Sequence, residues 1–207
     1  MKPATNPFPA KVRALLKRQG TVCSRDLEAA GITRSQLARM LGNGALARIS
    51  RGLYALPGRE PETHEGLIVV ARRAPKAVFC LLTALRYHDL TTQAPFEVWL
   101  AVGHKDRAPS MDWPPLRVMR FSDIAMQAGV ETHHEGGTAI RVTGVARTVA
   151  DCFKCRNKIG IDVALEALRD AWEKRRVTMD ALWDSAKVRG VATVMRPYLE
   201  WVVWRHD

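Results

Sequence analysis

Cysteine, histidine and carboxylate side chains are the groups of this sequence whose spacing could support metal or covalent chemistry. Cys152 and Cys155 form a Cys-x-x-Cys pair, but no second pair follows at the spacing of a zinc ribbon. The pair falls within a predicted helix that has Cys152 on its apolar face, which favours a core thiol over a metal ligand. His133 and His134 are adjacent in a predicted strand, where neighbours point to opposite faces, so we expect two surface residues. The sequence therefore predicts neither a metal site nor a cofactor.

A nuclease site is the enzymatic alternative that the carboxylates suggest. Such a site needs clustered carboxylates and a lysine around a metal ion. The nearest approach is Glu97 on a predicted strand, with Lys105 and Asp106 in the loop after it, but the strand lacks an acid-x-lysine pattern. The sequence also lacks a glycine-rich phosphate loop, a G-x-S-x-G motif and an H-E-x-x-H motif. We therefore expect no enzymatic activity, with a metal-dependent nuclease as the less favoured alternative.

Positive charge is concentrated at the amino-terminal end of the chain. The sequence has 207 residues and a formal net charge of +11, and residues 1–59 hold 11 Lys and Arg against 2 Asp and Glu. The rest of the chain holds 21 and 19, so most of the excess lies in the first third. A local basic field favours a polyanion and speeds the encounter with it. Nucleic acid is the ligand that this end of the chain predicts.

The stretch from Ser24 to Leu56 is predicted to form the elements that position these charges. Its pattern indicates a helix capped by Ser24, a tight turn at Gly31 and Ile32, a second helix and a short β-hairpin. Thr33 and Gln36 have the spacing of a capping box, in which each side chain binds an orphan backbone donor.

The second of these helices has one apolar face and one polar face. Leu37, Met40 and Leu41 share the first face, whereas Ser35 and Arg39 point the opposite way. A short helix with small, polar and guanidinium side chains outside is what a major groove admits and reads. We interpret residues 1–58 as a winged helix-turn-helix DNA-binding domain with the hairpin as its wing. A helix pair that contacts protein is the alternative.

A break at residues 57–61, P-G-R-E-P, separates this domain from residues 59–207. The second domain is predicted to be α+β, with a small sheet and several helices packed on it. We expect helices over 62–74 and 78–88, strands over 96–102 and 116–121, a short helix from Ser122 to Gly129, a hairpin of 130–134 with 138–142, and a helical last third in which Thr143 and Thr178 cap helices.

The cellular compartment follows from what the sequence lacks. The first residues contain no apolar run before a cleavage site, and no stretch approaches the about 20 apolar residues that span a membrane. We therefore expect a cytoplasmic protein without a membrane partner, whose four cysteines stay as thiols.

Four strings of the sequence resemble the AbiEi family of antitoxins. They are A-R-I-S-R-G-L-Y-A-L at 47–56, L-L-T-A-L-R-Y-H-D-L-T at 81–91, Q-A-P-F-E-V-W-L-A-V at 93–102 and V-A-R-T-V-A-D-C-F-K at 145–154. The resemblance implies the antitoxin of a type IV toxin–antitoxin pair, whose winged domain represses its own operon, often through repeated operator sites. It also implies a nucleotidyltransferase-like toxin as functional partner, with no stable complex required.

The resemblance assigns two sets of residues. For DNA binding they are Arg34, Ser35, Gln36 and Arg39 in the groove, with Lys17, Arg18, Arg25, Arg48 and Arg51 on phosphates. For the antitoxin surface they are Thr83, Arg86, His88, Arg147, Thr148, Asp151 and Lys154. The last four lie on one predicted helix, so an intrahelical ladder of Arg147–Asp151 and Asp151–Lys154 pairs is the alternative to a partner-facing surface.

The rival to an antitoxin is a transcriptional repressor whose second domain binds a small molecule or dimerises. The apolar end at Trp201–Trp204 fits either interpretation, as a cap on the core or as a contact surface. An adjacent nucleotidyltransferase-like reading frame would favour the antitoxin.

Overall fold

The computed structural model describes residues 10–50, 52–58, 64–111 and 113–204. The chain divides into two compact units: the first comprises residues 1–65 and 111–113, and the second comprises residues 66–110 and 114–207. The predicted domain boundary at 58/59 adjoins residues 59–63, which lie outside the described residues, and it stays a prediction.

The first unit consists of short helices and a small antiparallel sheet. Its elements are α1 Ala10–Gln19, β1 Thr21–Cys23, α2 Ser24–Ala29, α3 Arg34–Gly42, β2 Ala47–Ser50 and β3 Leu53–Ala55. The sheet has the order β1-β3-β2, with both pairs antiparallel. The helix, turn, helix and hairpin that the sequence predicts are therefore present, and the β2–β3 hairpin occupies the place of the predicted wing.

A compact apolar core joins these elements. Its buried members are Val12, Leu16, Val22, Leu27, Ile32, Met40, Leu46 and Tyr54, and Leu37 and Leu41 pack against them half-buried. Every helix of the unit contributes, because each has apolar residues at helical spacing on one side. The core therefore fixes which face of α3 stays outside.

The second unit is built on a mixed five-stranded sheet. Its elements, from the helix that leads into it, are α4 Glu65–Arg73, β4 Val78–Phe79, α5 Leu81–Tyr87, β5 Val98–Gly103, β6 Leu116–Phe121, β7 Val130–Glu135, β8 Thr138–Thr143, α6 Val145–Lys154, α7 Arg156–Ile159, α8 Ile161–Glu173, α9 Met179–Arg189 and α10 Ala192–Trp204. The strand order is β6-β5-β4-β8-β7, in which β5–β6 and β4–β8 are parallel. The predicted α+β class is confirmed.

Helix α6 is the centre of the second unit. It contacts α5, α8, α9 and α10, and all its residues from Arg147 to Phe153 are buried. A helix surrounded in this way has no solvent face except at its ends. Any polar residue in its middle must therefore find a partner inside the protein.

One predicted helix, 78–88, is wrong at its start. Val78 and Phe79 form β4 at the centre of the sheet, where Phe79 pairs with Leu100 on one side and Val142 on the other. The helix α5 begins only at Leu81, whose backbone φ of +50° lies in the left-handed region. Strand partners distant in sequence therefore override the helical pattern of this stretch.

Three smaller predictions are also wrong. Residues 122–129 form turns and no helix. The predicted cap at Thr143 is wrong, because Thr143 ends β8 and Gly144 is the N-cap of α6. The predicted cap at Ser24 is wrong as well, because Ser24 is the first residue of α2 and Cys23 is its N-cap. The hairpin of β7 and β8 and the cap at Thr178 are confirmed, since the Thr178 side chain accepts from the Ala181 N–H at 3.2 Å.

The longest helices of the described residues, α8 and α10, have 13 residues each. A membrane-crossing helix needs about 20 apolar residues. None of the described helices can therefore span a bilayer.

Candidate nucleic-acid interface

The turn between α2 and α3 sets the direction of the second helix. Gly31 has a φ of +86°, and the Ile32 N–H donates to the Leu27 carbonyl at 2.9 Å. A side chain would strain this left-handed backbone, so glycine is the residue that permits the turn. Buried Ile32 then fastens the turn to the core.

Helix α3 begins with the predicted capping box. The Gln36 N–H donates to Thr33 Oγ1 at 3.3 Å, and the Thr33 N–H donates to Gln36 Oε1 at 2.9 Å. The amide oxygen of Gln36 is therefore engaged in the cap. A bidentate contact of Gln36 with a base, as the sequence predicts, would require this bond to open.

The outward face of α3 presents a basic and polar stripe. Arg34, Ser35 and Arg39 are exposed, whereas Met40 is buried. The Arg34 side chain is 95% exposed, and its Nε lies 4.0 Å from Glu28 Oε1, which is a weak surface pair. The guanidinium groups of this face are thus available to an external acceptor.

The predicted phosphate contacts that fall on described side chains are also exposed. Lys17 lies on α1, Arg25 on α2 and Arg48 on β2. The Arg18 side chain and the whole of Arg51 lie outside what the structure describes. Arg13, four residues before Lys17 on α1, is exposed as well, and the sequence interpretation missed it although the i, i+4 spacing places both on one face.

Acidic groups do little to offset this charge. Residues 1–59 contain two, Asp26 and Glu28. Asp26 Oδ2 accepts the Cys23 N–H at 3.2 Å, so this carboxylate stabilises the start of α2. Residues 1–59 therefore keep a large excess of positive charge.

The hairpin is held beside α2 by the backbone. The Ser24 N–H donates to the Gly52 carbonyl at 2.9 Å. Arg48 faces Tyr54 across the β2–β3 pair, and the register shifts between Arg48 and Ser50. This bulge bends the hairpin next to its turn, as bulges do in strand pairs.

The second unit does not display the predicted antitoxin residues as one surface. Arg86 and Lys154 are exposed, but Thr83, His88, Arg147, Thr148 and Asp151 are buried. A buried side chain makes no direct contact with a partner, so the surface assignment of these five residues is corrected. Each has an internal polar partner instead.

Arg147 and Asp151 form the centre of a buried ionic network. Arg147 Nε donates to Asp151 Oδ2 at 3.0 Å, and Arg189 Nε donates to Asp151 Oδ1. The remaining Arg147 nitrogens donate to the carbonyls of Ala125, at 2.9 Å, and Ala128. The predicted Arg147–Asp151 pair is present, but the second partner of Asp151 is Arg189 on α9 rather than Lys154.

This network ties the turns after β6 to the helices. Both guanidinium groups lie over the Phe121 ring, at 5.6 Å for Arg147 and 4.8 Å for Arg189. Gly129 is required beside it, because a Cβ at that position would lie 2.9 Å from Arg147 Cβ. The arrangement is structural, because two guanidinium groups share one buried carboxylate and the other bonded Arg147 nitrogens donate to carbonyls.

Thr83, His88 and Thr148 satisfy backbone groups. Thr83 Oγ1 accepts the Trp99 N–H at 2.8 Å, and Thr148 Oγ1 donates to the Thr143 carbonyl at 2.8 Å. His88 Nε2 lies 2.8 Å from the same carbonyl and donates to it. Burial lowers the pKa of His88 from its ordinary value, more than the Thr143 bond raises it.

The cysteine pair has the properties of core thiols. Cys152 is buried, and burial raises its thiol pKa well above the ordinary value, which keeps it protonated. Burial raises the pKa of half-buried Cys155 in the same direction. Among the described residues, no three His, Cys, Asp or Glu side chains are grouped closely enough to hold a metal ion.

Comparisons with known proteins bear on the first unit. Residues 11–57 match the family model described as transcriptional regulator, AbiEi antitoxin. Among solved structures, the chain is similar to the crystal structure of the RV2827C protein from Mycobacterium tuberculosis, with 13% identity, a TM-score of 0.47, and coverage of 92% of this chain and 80% of that chain. A search of curated proteins gave no significant match.

Proposed function

We propose that this chain, whose residues 11–57 form a domain of the AbiEi antitoxin transcriptional-regulator family, represses its own operon by inserting α3 into the major groove of promoter DNA. The observation that carries the proposal is the outward face of α3, where Arg34, Ser35 and Arg39 lie exposed above a buried apolar face. Side chains of these types at the exposed start and middle of a short helix can bind base edges.

The other cations of the first unit would bind the DNA backbone. Lys17, Arg25 and Arg48 are exposed on three different elements, and Arg18 and Arg51 complete the predicted set. If about five phosphates are neutralised, log affinity should fall with log salt at a slope of about −4 to −5. Backbone contacts set the register and orientation, and α3 supplies the sequence preference.

Duplex binding by the full chain tests this proposal. Fluorescence anisotropy would compare DNA from the region upstream of the gene with a shuffled duplex of the same length, at several salt concentrations. We expect tighter binding to the upstream DNA and the salt slope given above. Lys158→Ala, an exposed cation of the second unit, is the matched control and should change neither quantity. Equal affinity for both duplexes would contradict the proposed operator recognition.

For the second unit we propose a non-catalytic role, in which it counters a nucleotidyltransferase-like toxin as a type IV antitoxin. The family of the first unit supports this role. Of the predicted antitoxin residues, exposed Arg86 and Lys154 remain candidates for contact, while the five buried ones stabilise the unit that presents them.

Co-expression with a nucleotidyltransferase-like toxin tests this second role. We expect the full chain to restore growth, and Arg39→Ala to restore it equally because repression and rescue use different units. Arg86→Glu and Lys154→Glu should weaken rescue if either residue contacts the toxin or its product. A toxin that stays lethal beside the full, folded chain would exclude the antitoxin role.

A further inference from the structure

The second unit contains a pocket that neither proposed role uses. It lies where the end of α4, the turn into β4 and the loop after β5 meet. It has a volume of about 570 Å³ and is lined by residues 73–77, by Val102 and by residues 106–110. Ligand pockets for small molecules and cofactors have about 300–1,000 Å³, so a mononucleotide-sized molecule fits this range.

Three cations line this pocket. Arg73 and Lys76 come from the end of α4 and the turn after it, and Arg107 comes from the loop after β5. All three are exposed, and none of their side chains has a hydrogen bond or ion pair within the part of the chain that the structure describes. Their charge is therefore available to a ligand.

The acid in the described lining, Asp106, is turned toward its own loop. Its Oδ2 accepts the Gly103 N–H at 3.3 Å, and a Cβ at Gly103 would lie 2.8 Å from that oxygen. Arg120 donates to the carbonyls of Gly103, at 2.8 Å, and Asp106. The loop is thus held in shape from behind, with Arg107 at the pocket.

The opposite wall is held in a similar way. Arg141 on β8 donates from Nη1 to the Lys76 carbonyl at 2.7 Å and from Nη2 to the Met126 carbonyl at 2.9 Å. The turn that carries Lys76 is therefore fixed to the sheet. Such support lowers the conformational cost of binding, because the backbone that carries Lys76 and Arg107 is in place before the ligand arrives.

Apart from Asp106 and the hydroxyl group of Ser110, the rest of the lining is apolar. Pro75, Ala77, Val102, Ala108 and Pro109 form it between the cations. Guanidinium and ammonium groups bind phosphate oxygens by charge-assisted hydrogen bonds, and a small apolar wall suits the flat face of a base. The combination of cations and apolar surface fits a ligand that has both a phosphate and a base.

We propose that this pocket binds a phosphate-bearing nucleotide, with Arg73, Lys76 and Arg107 on the phosphates and the apolar wall against the base. A phosphate joined to a base occurs in two kinds of ligand, a free nucleoside triphosphate and one nucleotide within a single strand of nucleic acid. The proposal is independent of operator binding, since its residues lie in the second unit.

Binding measurements with the full chain test the proposal. The background would be Lys17→Ala with Arg39→Ala, which weakens duplex binding by the first unit. The probes would be the four ribonucleoside triphosphates and a single-stranded oligonucleotide, followed by anisotropy or calorimetry. Removal of one cation, by Lys76→Ala or Arg107→Ala, should weaken binding about 10-fold or more. Lys158→Ala should leave it within about twofold.

The two arms identify the source of the phosphate. Triphosphates that bind and compete away the oligonucleotide indicate a free nucleotide, whereas an oligonucleotide that binds while triphosphates do not indicates a strand. Either result supports the proposal if Lys76→Ala and Arg107→Ala weaken the binding that is observed. Absence of saturable binding of both probes up to about 1 mM, or binding that survives these substitutions, would overturn it.

Gly103→Ala tests the position of the loop after β5 without removing any of the three cations. The added methyl group would lie 2.8 Å from Asp106 Oδ2 and force this carboxylate away from the Gly103 N–H, so the loop loses that bond while all three cations remain. We expect weaker nucleotide binding with unchanged circular dichroism. Promoter binding, measured with an otherwise unsubstituted first unit, should be unaffected by all of these changes, so that failure here and failure of the operator proposal are distinguishable.

Discussion

The two units use arginine in opposite ways. The Arg34 side chain is 95% exposed at the start of α3, and its Nε lies 4.0 Å from Glu28 Oε1. The Arg147 side chain is 2% exposed, and it donates to a carboxylate and two carbonyls. An exposed guanidinium can exchange water for a ligand at little cost, whereas a buried one serves the fold because its donors are already used.

The arginines at the pocket of the second unit are of the exposed kind. Arg73 and Arg107 are exposed like Arg34, while Arg120 and Arg141 hold the backbone behind them. The comparison therefore separates arginines that are available for binding from those that position them.

The largest expected effect comes from the buried network. Asp151→Ala leaves Arg147 and Arg189 without their common acceptor, so we expect the free energy of unfolding to fall by about 3–5 kcal/mol. Urea unfolding followed by tryptophan fluorescence measures this loss, since five of the six tryptophans lie in the second unit.

Lys154→Ala is the control for this measurement. Lys154 is exposed on the same helix, and its removal should change stability by no more than about 0.5 kcal/mol. If Asp151→Ala costs as little as the control, the network does not hold the unit together, and the contrast between the two kinds of arginine fails.

The next effect is on DNA binding rather than on stability. Arg39→Ala should cost about 1–3 kcal/mol of binding to the upstream site and far less on a shuffled duplex, because Arg39 is proposed to read bases. Anisotropy with both duplexes measures the difference. The free energy of unfolding should change by no more than about 0.5 kcal/mol, since the Arg39 side chain is exposed.

Lys17→Ala is the matched change on the phosphate side. It should weaken binding to both duplexes alike and reduce the salt slope by about 1. Equal losses on specific and shuffled DNA for Arg39→Ala would show that Arg39 also binds only the backbone.

Local patterns were predictable from the sequence, and distant partners were not. The capping box of Thr33 and Gln36 and the hairpin of β7 and β8 depend on neighbours in sequence, and both are present. The local pattern predicts a helix at Val78 and Phe79, because their strand partners lie more than 20 residues away and leave no trace in it. A two-residue strand has too few positions to show a period of its own.

The candidate sites follow the same rule. The exposed face of α3 could be predicted, because helical spacing alone places Ser35 and Arg39 opposite the apolar face that is centred on Leu37 and Leu41. The burial of Arg147 could not, since its partners come from α9 and from the turns after β6. The cationic pocket was missed for the same reason: Lys76 and Arg107 are 31 positions apart and meet only in the folded unit.

A smaller effect tests how α3 is placed. Thr33→Ala removes the acceptor for the Gln36 N–H and should destabilise the first unit by about 1 kcal/mol, the usual cost of an N-cap. Hydrogen exchange of the Gln36 amide measures the local change. Thr33→Ser keeps the hydroxyl and should protect that amide as the original residue does. Unchanged exchange in Thr33→Ala would show that the cap does not hold the helix start.

The smallest effect is a pH dependence from His88 in the second unit. Burial lowers the pKa of His88 in the folded state below the ordinary 6.5, so the unfolded chain binds the proton more readily as the pH falls. Stability from this group is therefore complete above about pH 6.5 and decreases below it, until the pH reaches the folded-state pKa. Between pH 8 and pH 6 the loss is at most about 0.8 kcal/mol.

Comparison of variants isolates this contribution from the other titrating groups. His88→Gln keeps a donor for the Thr143 carbonyl but cannot take up a proton, so its stability should fall less between pH 8 and pH 6 than that of the unsubstituted chain. His134→Gln, the same substitution at an exposed position, is the control. If His88→Gln retains the full pH dependence, His88 does not enter the folded protein as a neutral donor. Its place among the internally matched polar groups of the second unit would then have to be given up.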